Sequence, residues 1–435
     1  MPQRAALASR PILTEPNVTR YEWAGATLQR LFGSPRPIAE VWAFFSGPSR
    51  PARIASADGL TMADLVRQHP DVLGRLGADP EHAGQKYFFV KFLDPSDFPP
   101  FAYVGFRPEA VAALGHPVKP HVAEWLWQDR QALDTLAELI RPHVGSPERF
   151  AGFTDAYKRW AIAQADREWS AELPHALEPF ALPAKRAELA AALSAQQRAR
   201  RALTGLMHRL PFRPGEAILV ETPTLHAIAG LSLQIHPKTP GNFHPKDELW
   251  IYQPVKLPGG GQGWILVEPQ RTFDKTESGA DFFTPFAWTA DGGLGFRKAI
   301  TRESLEAFVW LMDATPHPEA HFVRHAQPMA IEGARTTDGV LWLRVVEEPG
   351  WPYFLVRELR FDGPGEATTP LGHECFIELH ATRGRVEVEL SAGGGNVARA
   401  AVTPTQPLFL PASLPHDTIT YRAGGPATLL FFTRR

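Results

Sequence analysis

The chain is poor in cysteine, in net charge and in long apolar runs. Its 435 residues include one cysteine, Cys375, which excludes an intramolecular disulfide framework and suits a reducing compartment. Lysine plus arginine number 45 against 47 acidic residues, a formal charge of −2, and no basic domain stands out. That excludes a general polyanion binder and leaves nucleic acid an unexpected partner. No apolar run approaches the roughly 20 residues that span a bilayer, and the opening MPQRAALASRPILTEPN lacks the apolar core of a secretory signal. The expectation is a soluble cytoplasmic protein with no membrane partner, its oligomeric state left open.

What is plentiful is turn chemistry. The 42 prolines and 35 glycines are spread along the chain and suit many short strands. Residues 1–20 read as a loose arm. Short apolar runs then follow (AEVWAFF, QKYFFVKFL, FAYVGF) around one helical piece, MADLVRQHPDVLG, with Thr61 as its N-cap and Gly74 at its end. Residues 122–206 change to helical spacing, as in VAEWLWQDRQALDTLAELI and PAKRAELAAALSAQQRARRALTG. Strand-like sequence resumes at Gly215. A second helix, TRESLEAFVWLMDA, starts behind Thr301, and short strands fill the rest. The pattern predicts a mainly β chain with a helical insert. Its parts are an arm (1–20), a discontinuous first barrel (21–121 and 207–300), an all-α segment (122–206), a helical connection (301–335) and a second barrel (336–435).

The densest chemistry lies in GEAILVETPTLHAIAGLSLQIHPKTPGNFHPKDELWIY, residues 215–252, which holds His226, Gln234, His236, His244 and Glu248. Imidazole, amide oxygen and carboxylate together suit a borderline divalent metal such as zinc. In LSLQIHP the polar Ser232, Gln234 and His236 alternate with Leu231, Leu233 and Ile235, so a strand here carries its polar groups on one face. The bland reading of that alternation is a solvent-facing strand edge, and His244 in NFHPKD reads as a loop residue. His317, His321 and His325 have the spacing of one helix face, disturbed by Pro316 and Pro318. GGGQG, residues 259–263, has no helix behind it and reads as a loop rather than a phosphate cradle.

Several stretches together resemble the type I phosphomannose isomerases, metal-dependent sugar-phosphate isomerases built on cupin (jelly-roll) barrels. They are IAEVWAFFSGPSRPARI, VKFLDPSDFPPFAYVGFRPEAVAALG, GEAILVETPTLHAIAG, GFRKAITRESLEAF and PLFLPASLPHDTITYRAGGPATLLFF, in the family's order. The resemblance implies two cupin-like barrels, one Zn2+ per chain, and interconversion of mannose 6-phosphate and fructose 6-phosphate. In that family the metal is held by a Gln and a His of a Q-x-H strand, a Glu of a K-P-E segment and a His before Ala-Ile. Here His226 matches the last, but Val104 and Phe106 stand at the Q-x-H positions and His121 replaces the glutamate. LSLQIHP then follows HAI directly, with DELWIY behind it. Either Gln234, His236 and Glu248 rebuild the site with His226 and His121, or the likeness of that heptapeptide is accidental.

The resemblance also places Arg297 as the group that steadies the enediolate or grips substrate, and Lys298 as a phosphate contact. Glu268, Asp274 and Glu277 are alternative proton-relay bases, and no spacing selects one. The competing class is a cupin-fold sugar-binding or regulatory relative without isomerase activity. A third is a cupin using its metal in other small-molecule chemistry.

Overall fold

The structure is a computed structural model that describes residues 10–20, 24–46, 51–55, 57, 59–76, 89–93, 101–164, 173–221, 223–228, 233–235, 248–270, 277–347, 354–370, 375–393, 395–414 and 416–434. Four sheets stack face to face, and helices cover the first. A five-stranded sheet runs in the order Glu277–Ala280, Leu233–Ile235, His226–Ile228, Phe101–Phe106, Met207–Pro211. Facing it is a seven-stranded sheet: Val323–His325, Glu216–Val220, Glu248–Lys256, Gln262–Gln270, Phe89–Leu93, Glu40–Trp42, Asn17–Thr19. An eight-stranded sheet containing Phe354–Phe361, Ala427–Arg434 and Ile377–Arg383 packs on its back. A second five-stranded sheet, with Thr418–Ala423 and Val386–Ala392 at its centre, closes the stack.

Strand alternation explains the layering. In Glu248–Lys256, Trp250 and Tyr252 enter the core shared with Ala102, Val104, Leu210 and Ile228 of the first sheet. Leu249 and Ile251 enter the next layer, with Val356, Leu430 and Phe432 of the eight-stranded sheet. Leu429 and Phe431 face the last layer, against Val388, Leu390 and Tyr421. The middle strands are buried on both faces and therefore read as nearly continuous apolar runs. On the outer face of the first sheet, Tyr103, Ala227, Leu233 and Ile235 meet Val122, Leu126, Phe153, Tyr157 and Leu193 of the helices.

The helical cover comprises Pro108–Leu114, Val118–Ile140, Pro147–Gln164 and Arg186–Thr204, joined later by Arg302–Leu311. The longest of these opens directly after Pro117, so His121 belongs to a helix rather than to the barrel. Thr61 and Thr301 both make capping boxes, with Asp64 and Ser304. The helix behind Thr61 stops at Gln68 instead of running to Gly74. Pro70 has no N–H for the helical ladder and starts a run of 3-10 turns.

Two further expectations are corrected. The N-terminal stretch is not a loose arm throughout: Ile12–Glu15 pairs with Leu408–Leu410 and with Arg53–Ile54, and Asn17–Thr19 pairs with Glu40–Trp42. Ile12 is fully buried and Thr14 Oγ1 donates to Ala43 O at 2.7 Å. The alternation in ILTE thus ties residues 12–15 into the eight-stranded sheet, and Asn17–Thr19 joins the seven-stranded one. His317, His321 and His325 do not share a helix: only Glu319–His321 forms a single 3-10 turn, and His325 lies in a strand. Among the described residues, no helix is long and apolar enough to cross a membrane.

Candidate functional site

One row of residues crosses the first sheet. Val104 pairs with His208 on one side and with His226 on the other, and His226 pairs with Gln234. Directly opposed residues of antiparallel strands project to the same side. Val104 belongs to the inner core, so the row faces the seven-stranded sheet. Leu233 and Ile235 face the helices, which leaves the Gln234 position on the inner face, as the alternation in LSLQIHP predicts. His236 and His244 lie outside the described residues.

His226 is buried, and its Nδ1 donates to Thr224 O at 2.8 Å. That bond fixes the tautomer, because the protonated nitrogen is on the carbonyl and Nε2 carries the lone pair. The imidazole packs edge-on against Trp250, with ring centroids 5.5 Å apart, and Trp250 Nε1 donates to Glu248 Oε2 at 3.1 Å. His226 and Glu248 therefore flank one indole. Glu248 is buried and projects with Trp250 and Tyr252 into the inner core. Glu268 is buried too, two residues beyond the inward Leu266 and so on the same face.

The structure thus brings His226, Gln234 and Glu248 to the inner faces of the two opposed sheets. It places His121 elsewhere, with its ring 5.6 Å from Trp125 and 5.7 Å from His116 on the helical cover. Among the described residues, no three His, Cys, Asp or Glu side chains are grouped to hold a metal ion. The contacts that position Arg297 and Lys298 are with the segment around Asp281 and with the helices. Arg297 Nη1 lies 3.2 Å from Thr284 Oγ1 and 4.0 Å from Asp281 Oδ1, while Lys298 O accepts from Arg130 Nη1 at 3.3 Å.

The Q-x-H positions of the resemblance diverge in space as well as in chemistry. A bulge at Gly105, φ +53°, shifts the register between Val104 and Phe106. Val104 stays in the inner core, whereas Phe106 turns outward into the helix-covered one. The Phe322 ring takes the inner space: a Cβ on Gly105 would stand 2.5 Å from Phe322 Cζ. His208 is the inward residue that the sequence reading missed. Its Nε2 donates to His317 O at 2.7 Å and its ring lies 5.6 Å from Phe322. The alternation of Met207–Pro211 against Phe101–Phe106 carries that information only once the pairing is known.

No protein-family model matches the chain, and no curated protein does. Solved structures do. The chain is similar to a glutamate-to-alanine mutant of phosphomannose isomerase from Salmonella typhimurium at 14% identity, over 98% of this chain and 100% of that one, with a TM-score of 0.50. It is similar to the apo form of mannose 6-phosphate isomerase from the same organism with the same values. A lysine-to-alanine mutant of the enzyme matches at 13% identity, over 98% and 99% of the two chains, again with a TM-score of 0.50. The chain has the phosphomannose isomerase fold. The likeness runs along essentially the whole length of both chains, so the β-rich cupin architecture and its helical segment are shared rather than one barrel alone. Within that fold, the inner face at His226 is one place where buried polar side chains meet the core.

Proposed function

We propose that the chain is a divergent aldose–ketose isomerase of sugar phosphates, with mannose 6-phosphate and fructose 6-phosphate as its substrate pair and one Zn2+ at the His226 end of the first barrel. The observation that carries this reading is the His226 tautomer: Nδ1 is committed to Thr224 O, and Nε2 carries the lone pair a metal requires. The donor types fit zinc, with imidazole from His226, amide oxygen from Gln234 and carboxylate from Glu248; His236, outside the described residues, completes the proposed set. When bound, the ion would supply Lewis acidity toward the neighbouring substrate oxygens. The protein's part is to exclude water with the Trp250 and Tyr252 wall and to move a proton between C1 and C2. Of the carboxylates weighed as base, Glu268 is buried and faces the inner core; the Glu277 side chain and Asp274 lie outside what the structure describes. Arg297 and Lys298 have contacts with Asp281, Thr284 and Arg130 on the helix-covered side, so the substrate-grip and phosphate roles that the resemblance gave them are not assigned to a substrate at His226 in this proposal.

A second reading is favoured by Val104, Gly105 and Phe322. Apolar side chains fill the space beside His226 that a full ligand set would use, which supports a sugar-binding or regulatory relative without turnover. Zinc content of the purified chain and a coupled assay with mannose 6-phosphate separate the two. The isomerase reading expects about one zinc per chain, lost in His226→Ala, and turnover that Glu268→Gln lowers at least a hundredfold. Zinc-loaded protein that binds the sugar phosphate without converting it overturns that reading in favour of the second.

A further inference from the structure

Two facing helices carry polar residues at core positions. On Arg186–Thr204, Gln196 and Arg200 stand one turn apart, on the same buried side as Leu189, Leu193 and Leu203. On Val118–Ile140, Asp129 is buried in line with Leu126, Leu133 and Leu136. Arg200 Nε donates to Asp129 Oδ1 at 2.5 Å, and Nη1 donates to Phe282 O. Tyr157, its hydroxyl pKa pushed up to about 12 chiefly by burial, stays protonated and donates to Gln196 Oε1 at 2.9 Å. That bond orients the amide and directs its nitrogen away from Tyr157.

Two donors remain. Arg200 Nη2 is buried with no hydrogen-bond partner among the described residues, and Gln196 Nε2, on a residue only 1% exposed, has the Asp129 carboxylate as its neighbouring acceptor. Asp129 and Tyr157 are near enough to perturb one another's ionisation and that of Arg200, but each terminal nitrogen carries two hydrogens and satisfying one still leaves another. Both residues line the same half-open cleft, with about 50 Å³ of enclosed space, whose other walls include Tyr103, Trp160, Phe282 and Phe283. The cavity lies on the helix-covered side of the sheet, opposite the face that carries His226.

We propose that this cavity is a second binding site, for a small monocarboxylate with an aromatic or apolar body. The carboxylate bridges Arg200 Nη2 and Gln196 Nε2, and the ring lies among Trp160, Phe282 and Phe283. Charge selects the class. Asp129 already neutralises Arg200, so a phosphate dianion would bring two uncompensated charges, whereas a carboxylate brings one and offsets it with charge-assisted bonds from the guanidinium. A neutral ligand would leave the arginine donor poorly used. Apolar walls with few convergent donors are the usual composition of small-molecule sites.

The test is titration of the full chain with benzoate, followed by calorimetry, with inorganic phosphate and benzyl alcohol as comparison probes. One saturable benzoate site is expected, with phosphate and benzyl alcohol at least tenfold weaker. Gln196→Met keeps the volume and removes the donor. Arg200→Lys keeps a cation for Asp129 and removes the fork. Each is expected to weaken benzoate at least tenfold with an unchanged circular dichroism spectrum. If Arg200→Lys does not fold, Gln196→Met alone decides. Absence of saturable benzoate binding, equal affinity for phosphate, or benzoate affinity unchanged in Gln196→Met overturns the proposal.

Discussion

Val104 lies directly across the sheet from His226, on the same inward face. A histidine at that position stands beside His226, and paired imidazoles on adjacent antiparallel strands form a strong half-site for a divalent metal. Val104→His is expected to tighten zinc retention at least tenfold, measured against a competing chelator. The gain should vanish in the Val104→His, His226→Ala double variant. Burying a second imidazole costs stability in the absence of metal, about 1–3 kcal/mol. Retention unchanged from the parent would show that the two positions do not act on one ion.

Gly105 sits beneath the Phe322 ring with a left-handed backbone. Gly105→Ala adds both a strained φ and a methyl group 2.5 Å from Phe322 Cζ. The expected loss is roughly 2–4 kcal/mol in urea denaturation, combining backbone strain and overpacking. Phe322→Leu should recover part of it by opening space. A cost below about 0.5 kcal/mol would mean that the bulge relaxes freely, and that the inward space at the Q-x-H position is not held by this ring.

Much of the fold was legible because its signals are local. Thr61 and Thr301 announce helices through their capping partners, and the run LWIY reads as a strand buried on both sides. Pro108 at a helix start and Gly115 in the left-handed conformation at its end were equally local signals for Pro108–Leu114, which the reading assigned to the barrel. Alternation put Gln234 on the face opposite Leu233 and Ile235 but left open whether that face met solvent or a cavity. The face of Phe106 was not read correctly, because period-two counting fails at a bulge, and the glycine inside FAYVGF, the local signal for one, was not used. His208 was missed because its face depends on register with Val104, a contact across the whole helical insert. His121 was drawn into the ligand set by a resemblance that its helix does not support. The helical spacing of Arg186–Thr204 said nothing of Arg200 and Gln196; only the packing of that helix against Asp129 shows that they are buried.

The Asp129–Arg200 pair is nearly dry, with side chains 3% and 12% exposed. Asp129→Leu leaves the guanidinium buried without its counter-charge and is expected to cost about 3–5 kcal/mol. Replacing both residues, as Asp129→Leu with Arg200→Met, should return most of that loss, because the isolated charge rather than missing packing causes it. Chemical denaturation of the two single variants and the double variant gives the coupling. Strict additivity would count against a shared ion pair.

The layer between the seven- and eight-stranded sheets holds two buried groups whose titration couples to stability. Glu378, His380 and Thr382 share the face of Ile377–Arg383 opposite Leu379 and Ala381, with Phe432 and Phe409 beside Glu378. His380 packs edge-on to Phe44 at 5.1 Å and to Phe432 at 5.7 Å. Burial pushes the Glu378 carboxyl well above its ordinary 4.5. The native chain therefore keeps a proton that the unfolded chain releases, and stability falls as pH rises from 4.5 toward the folded value, by up to about 1.4 kcal/mol per unit. Burial pushes His380 the other way, from 6.5 down to about 3, so its contribution is intact above 6.5 and is lost as pH falls toward 3. Glu378→Gln removes the first dependence. It should melt higher than the parent at pH 8 and match it at pH 4, while His380→Leu should flatten the decline between pH 6.5 and 4. A Glu378→Gln gain of equal size at both pH values would assign it to packing rather than to the proton.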